Sequence, residues 1–181
     1  MKLQGKFSSF LIYFGIICLI LTLWLFWQRH NPKSLAFATT VVESSNSSQK
    51  VQTPLRLEIL DSGIDLPIVS TKSSEKNWET TDKGVTYLTT SPVPGQLGNS
   101  ILYGHNWSNL LGNLKKVKPG QIITVTYSDF SKKQFEVKYK MEVSPDDISI
   151  LDNTADSRIT LYTCSGFFDS KRLVVVALLR N

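Results

Sequence analysis

The sequence predicts an all-β domain, a closed barrel or a sandwich, preceded by an apolar N-terminal helix. Three observations carry that expectation. Short apolar segments of β type recur from Leu55 onward, separated by turn residues. Before them, Phe7 to Trp27 runs for 21 residues without a charge, "FSSFLIYFGIICLILTLWLFW". Between the two lies "TTVVESSNSSQ", rich in Ser and Thr and poor in large apolar side chains.

The apolar run comes first. At roughly 1.5 Å per residue, a helix of that length spans the roughly 30 Å hydrocarbon core of a bilayer. Trp24 and Trp27 stand where an aromatic belt meets the headgroups. The rival reading is a cleaved signal peptide, with "AFA" at 36–38 as the cleavage site. The run is long for a signal h-region, and those small residues lie about ten positions beyond it. A retained transmembrane anchor within residues 1–30 is therefore expected. Lys2, Lys6 and the amino terminus flank one side, and Arg29 and Lys33 the other. That balance barely favours a cytoplasmic N-terminus, and charge alone leaves the compartment open. Residues 31–53 form a flexible Ser/Thr-rich tether, because such a stretch cannot bury enough surface to fold alone.

The third region, 54–181, supplies the strands. "LRLEIL" at 55–60 alternates, and "IDLPIV" at 64–69 carries a proline that marks an edge or broken strand. "SILYG" at 100–104, "IITVTY" at 122–127, "FEVKYKMEV" at 135–143, "ITLYT" at 159–163 and "LVVVALL" at 173–179 follow. Pro119-Gly120, Ser128-Asp129 and Ser144-Pro145-Asp146-Asp147 mark turns, and a short helix is expected around Asn109 to Val117. Many short strands with turn punctuation indicate a barrel or sandwich. No disulfide forms within this domain, which holds one cysteine.

Net charge excludes one class of partner. The whole chain carries +5, but from Val51 onward 15 Lys+Arg stand against 14 Asp+Glu, a net of +1. A nearly neutral domain offers no basic field for nucleic acid. Lys115, Lys116 and Lys118 read as a solvated face.

Few side chains are equipped for chemistry. Outside the apolar run the one cysteine is Cys164, and the two histidines are His30, beside the anchor, and His105. Cys164 ends one predicted strand and His105 follows a glycine at the end of another, so one barrel rim can hold both. Taken alone, Cys164 reads more readily as a buried small hydrophobe and His105 as a satisfied polar group than as catalytic residues. Zinc is disfavoured, since one Cys and one His fall short of four ligands. Arg172 opens the strand after Cys164, either as an inert strand-end cation or as a third participant. A thiol near pKa 8.5 needs nearby positive charge to act as a thiolate. A guanidinium can also hold an oxyanion, and an imidazole can move the proton of an amine.

At these residues the chain resembles the sortases, membrane-anchored cysteine transpeptidases of bacterial surfaces. "TLYTC" at 160–164 matches the family's TLxTC motif, implying Cys164 as nucleophile. "GNSILYGH" at 98–105 resembles the segment ending in the catalytic histidine, implying His105. Arg172, before "LVVVA", stands where the catalytic arginine opens the last strand. "KGVTYL", "PGQLGN", "LKKVKPGQIITV" and "EVSPDDISIL" support the likeness, which covers roughly Leu55 to Arg180.

The resemblance implies an all-β fold, a closed eight-stranded sortase-like β-barrel with one or two short helices. It implies cleavage of an LPxTG-like sorting signal through a Cys164 thioester. An amine, from a cell-wall precursor or a pilin lysine, then takes the acyl group. It implies surface proteins as partners, no cofactor, a cytoplasmic N-terminus and an extracellular catalytic domain. Thr163, Ser165 and Trp107 join the site as expected substrate-binding residues. Some features depart from the family. "SGFFDSK" between Cys164 and Arg172 is short, "HNWSN" lacks the basic residue often found after the histidine, and no Asp-Pro-aromatic lid motif precedes the domain. Glu75, Glu79 and Asp82 lie where some members bind calcium, but three acidic residues fall short of its six or more oxygens, so no metal is expected. Two other readings stand beside this one: a peptide hydrolase on the same barrel, and a tethered β-domain for adhesion or binding.

Overall fold

The computed structural model describes residues 3–29, 52–71 and 80–180. They fall into two units, one holding an N-terminal helix and the other a β-domain.

The helix, α1, runs Leu3–Arg29. Its described side chains, from Ile12 to Trp27, are almost all exposed, apolar ones on every side. Among the described residues, however, no helix is long and apolar enough to cross a membrane. The described side chains cover less than the roughly 20 residues a span takes. Most of the 31–53 tether, and Glu75 and Glu79, lie outside the described residues.

Eight strands make the second unit: β1 Pro54–Ile59, β2 Ile64–Thr71, β3 Val85–Leu88, β4 Gly98–Gly104, β5 Ile122–Tyr127, β6 Lys132–Val143, β7 Ser157–Ser165 and β8 Lys171–Leu179. They close into a barrel in the order β1-β2-β3-β4-β7-β8-β6-β5. Seven follow segments read from the sequence. β3 does not, because four residues buried throughout show no alternation. Closure also removes the edge that Pro67 suggested. Pro67 pairs with Arg56, and the β2/β3 ladder begins one residue later at Ile68 and Val85. The missing proline N–H thus precedes that ladder instead of breaking it.

The short helix expected near Asn109 is a 3-10 helix, Leu111–Lys116. It packs tightly, since a Cβ on Gly112 would lie 2.6 Å from the Trp107 carbonyl oxygen. Its Leu111 and Leu114 enter the barrel core.

Alternation along the strands produces two cores. Leu57, Ile59, Val85, Leu102, Val125, Phe135, Leu161 and Val175 fill the barrel interior. Ile101 and Tyr103 of β4, Tyr162 of β7, and Val174 and Val176 of β8 point outward and form a second cluster. Ile150 and Leu151 of the β6–β7 connection cover it. Asn99 anchors that cover. Its amide donates to the Ile150 and Asp152 carbonyls at 2.9 and 3.1 Å, and its oxygen accepts from Thr160 at 2.7 Å.

Candidate active site

Strand register assembles the site. β4 and β7 are parallel, with Gly104 opposite Thr163, so the next residues, His105 and Cys164, follow side by side. β7 and β8 are antiparallel, with Cys164 opposite Arg172. Two consecutive strands, β7 and β8, and the distant β4 therefore deliver a thiol, a guanidinium and an imidazole to one end of the barrel. By alternation Cys164 shares the face of Tyr162, and Arg172 that of Val174 and Val176. Both stand on the outer face, above the second cluster rather than inside the barrel.

Each of the three is buried. Cys164 is 4% exposed. Arg172 is 3% exposed, which an arginine tolerates only with partners. Its Nη1 donates to the carbonyl oxygens of Asp169 and Lys171 at 2.9 and 3.1 Å. His105 stacks on Trp107, with ring centroids 4.4 Å apart and an interplanar angle of 9°. Its Nε2 lies 3.1 Å from the Thr80 hydroxyl. Together these contacts fix both the tilt and the rotation of the imidazole.

The floor is aromatic. Tyr162 stacks on Tyr103 at 5.5 Å, and both are fully buried. Burial pushes the Tyr162 hydroxyl well above the ordinary tyrosine range, with further contributions from Tyr103 and Cys164, while the Arg172 cation opposes it. Tyr162 thus lies within electrostatic reach of both reactive groups. Its place in "TLYTC", two residues before Cys164 and so on the same strand face, was a readable signal for this role. Thr80, 25 residues upstream of His105, gave none.

The residues expected to bind substrate separate in space. Trp107 is beside His105. Thr163 faces away from Cys164 by alternation, and its hydroxyl donates to the Gly104 carbonyl at 2.7 Å, clamping β7 to β4 next to the site. Ser165 also lies on the face opposite Cys164, with a buried Oγ that has no hydrogen-bond partner. Asp82 joins no metal-binding group, and among the described residues no cluster of three His, Cys, Asp or Glu is arranged for a metal.

Known proteins resemble this chain in sequence and in fold. The sequence profile of the Sortase domain matches residues 57–180. The chain is 30% identical over 141 residues to Sortase A of Bacillus anthracis, covering 76% of this chain and 64% of that protein. It is 35% identical over 102 residues to Sortase A of Listeria monocytogenes, covering 54% of this chain and 45% of that one. The chain thus spans less than two thirds of either relative's length. Its fold matches a lid mutant of Sortase A from Corynebacterium diphtheriae with a TM-score of 0.62, at 27% identity over 74% of each chain.

Proposed function

The chain belongs to the sortase family, and from that premise we propose that it is a cysteine transpeptidase acting on an LPxTG-like sorting signal. The observation that carries the proposal is the register of β4, β7 and β8, which sets Cys164 between His105 and Arg172. A buried structural thiol needs no such neighbours.

In the proposed reaction the Cys164 thiolate attacks the carbonyl carbon of the Thr–Gly bond. Arg172 donates hydrogen bonds to the developing oxyanion. His105 gives its proton to the glycine nitrogen as the C–N bond breaks, and a thioester remains. An incoming amine, from a cell-wall precursor or a pilin lysine, attacks the thioester. His105 takes the amine's proton, and the thiolate leaves.

The partners would be surface proteins carrying a C-terminal sorting signal. The 21 uncharged residues from Phe7 to Trp27 and the apolar surface all round the described helix favour a membrane anchor. Its N-terminus would be cytoplasmic and the barrel extracellular, as the family resemblance implies.

The test is intact mass spectrometry of the full chain with an LPxTG-type peptide and an amine. An adduct carrying the peptide's N-terminal fragment, absent in Cys164→Ala, supports the thioester. A ligated amine product supports transfer, whereas hydrolysed peptide alone points to the hydrolase. A Cys164 that neither forms an adduct nor reacts with iodoacetamide would return the chain to the tethered binding domain.

A further inference from the structure

The loop between β7 and β8 is built against backbone preference, and the strain falls beside the site. Gly166 has φ 77° and ψ 176°, a combination largely reserved for glycine. A Cβ there would lie 2.8 Å from the Ser170 hydroxyl. Phe168 and Asp169 follow with φ 53° and 58°, left-handed values that strain the phenylalanine and that aspartate tolerates better. Nothing apolar rewards this geometry by burial, since Phe167 and Phe168 are 83% and 52% exposed and touch each other edge to face. The conformation does accomplish one thing. It turns the Asp169 carbonyl back toward β8, where Arg172 Nη1 donates to it at 2.9 Å. A second bond from the same nitrogen reaches the Lys171 carbonyl at 3.1 Å.

We infer that Asp169 is a positioning residue for Arg172, acting through its main-chain carbonyl and held in place by the left-handed pair Phe168–Asp169. The contact runs through backbone, so the side chain at 169 matters by the conformation it permits. Asparagine tolerates the left-handed region well. Glycine also enters it without strain but does not hold it. Strain kept at a functional position, where relaxing it would strengthen the fold, is what a positioning device requires.

The kinetic arm rests on the transpeptidase reading and the spectroscopic arm does not. The full chain is compared with Asp169→Gly, Asp169→Asn and the double variant Phe168→Gly/Asp169→Gly. With LPxTG-type peptide, the glycine variants should lose about 10- to 100-fold in kcat with KM little changed, the scale of a misplaced catalytic group. Their Tm should hold or rise, because strain is relieved. Asp169→Asn should retain both kcat and Tm. In nitrogen-15 spectra, the Arg172 Nη resonances should be resolved in the wild type and Asp169→Asn, and averaged by rotation in the double variant. An unchanged guanidinium spectrum in the double variant overturns the inference. So does a Tm that falls together with kcat, which marks a merely structural loop, or an asparagine variant as impaired as the glycine one. If the wild type forms no adduct, the transpeptidase reading fails and the guanidinium spectrum alone decides this one.

Discussion

His105 keeps its orientation through two neighbours from different parts of the chain, Thr80 and Trp107. Their contributions are separable. Thr80→Val removes a hydroxyl at 3.1 Å from Nε2 while keeping the side-chain shape. A hydrogen bond of this type contributes about 0.5–1.5 kcal/mol, so kcat should fall about 2- to 10-fold with KM nearly constant. Steady-state kinetics of peptide cleavage checks this, and an unchanged kcat would leave Thr80 a bystander. Trp107 also packs against the barrel core, so Trp107→Ala should lower both kcat and Tm. A change in KM alone would instead mark Trp107 as a substrate contact. The sequence singled out Cys164 and His105 as candidates because few other side chains could do the chemistry, and Arg172 by its place in the family resemblance. It concealed Thr80, since threonine is common and its role arises from a contact with no sequence pattern.

Among the elements, the decisive piece is the parallel pair β4 and β7, bordered by β8. Parallel strands here bring the ends of 98–104 and 157–165 to one side of the barrel, a pairing no turn signal announces. Two hydrogen-bonded side chains secure it. Thr163 clamps β7 to the Gly104 carbonyl, and Asn99 ties β4 to β7 and to the cover of the second cluster. Asn99→Ala would strand the buried Thr160 hydroxyl and two carbonyls together. The loss should be about 2–4 kcal/mol, since the buried Thr160 hydroxyl left unsatisfied costs about 1–3 kcal/mol and the two partly exposed carbonyls, which water can reach, add less. Thermal unfolding should register it as a Tm drop of several degrees. A Tm within a degree of wild type would mean that water replaces the lost bonds.

At the scale of the molecule, buried tyrosines tie stability to alkaline pH. Burial pushes the Tyr87 hydroxyl up to about 12, only partly offset by the Ser91 side chain. Burial likewise raises Tyr127, whose hydroxyl donates to the Pro94 carbonyl, and Tyr162. In the unfolded chain a tyrosine ionises near pH 10. Each folded value is raised, so each contribution is fully present below pH 10 and is lost as pH climbs toward the folded value. For Tyr87 that window is pH 10 to about 12. Tm should therefore fall steeply above pH 10, with these phenols ionising only as the barrel opens. Ultraviolet titration alongside thermal melts checks this. Ionisation of all six tyrosines near pH 10 with an undisturbed Tm would contradict it.

The sequence by itself determined seven of the eight strands and the apolar N-terminal helix, and it offered Cys164, His105 and Arg172 as the candidates around which the site is argued. These are local properties, carried by side-chain period, turn chemistry and residue type. Tertiary structure alone decided that β3 exists, that Pro67 lies in a closed barrel and that Cys164 and Arg172 stand on the outer face above Tyr162. It also decided that Asp169 reaches back to Arg172 from a left-handed turn. Each of these depends on which strand lies beside which. That choice is made by packing two cores at once, and it leaves no period in any single segment.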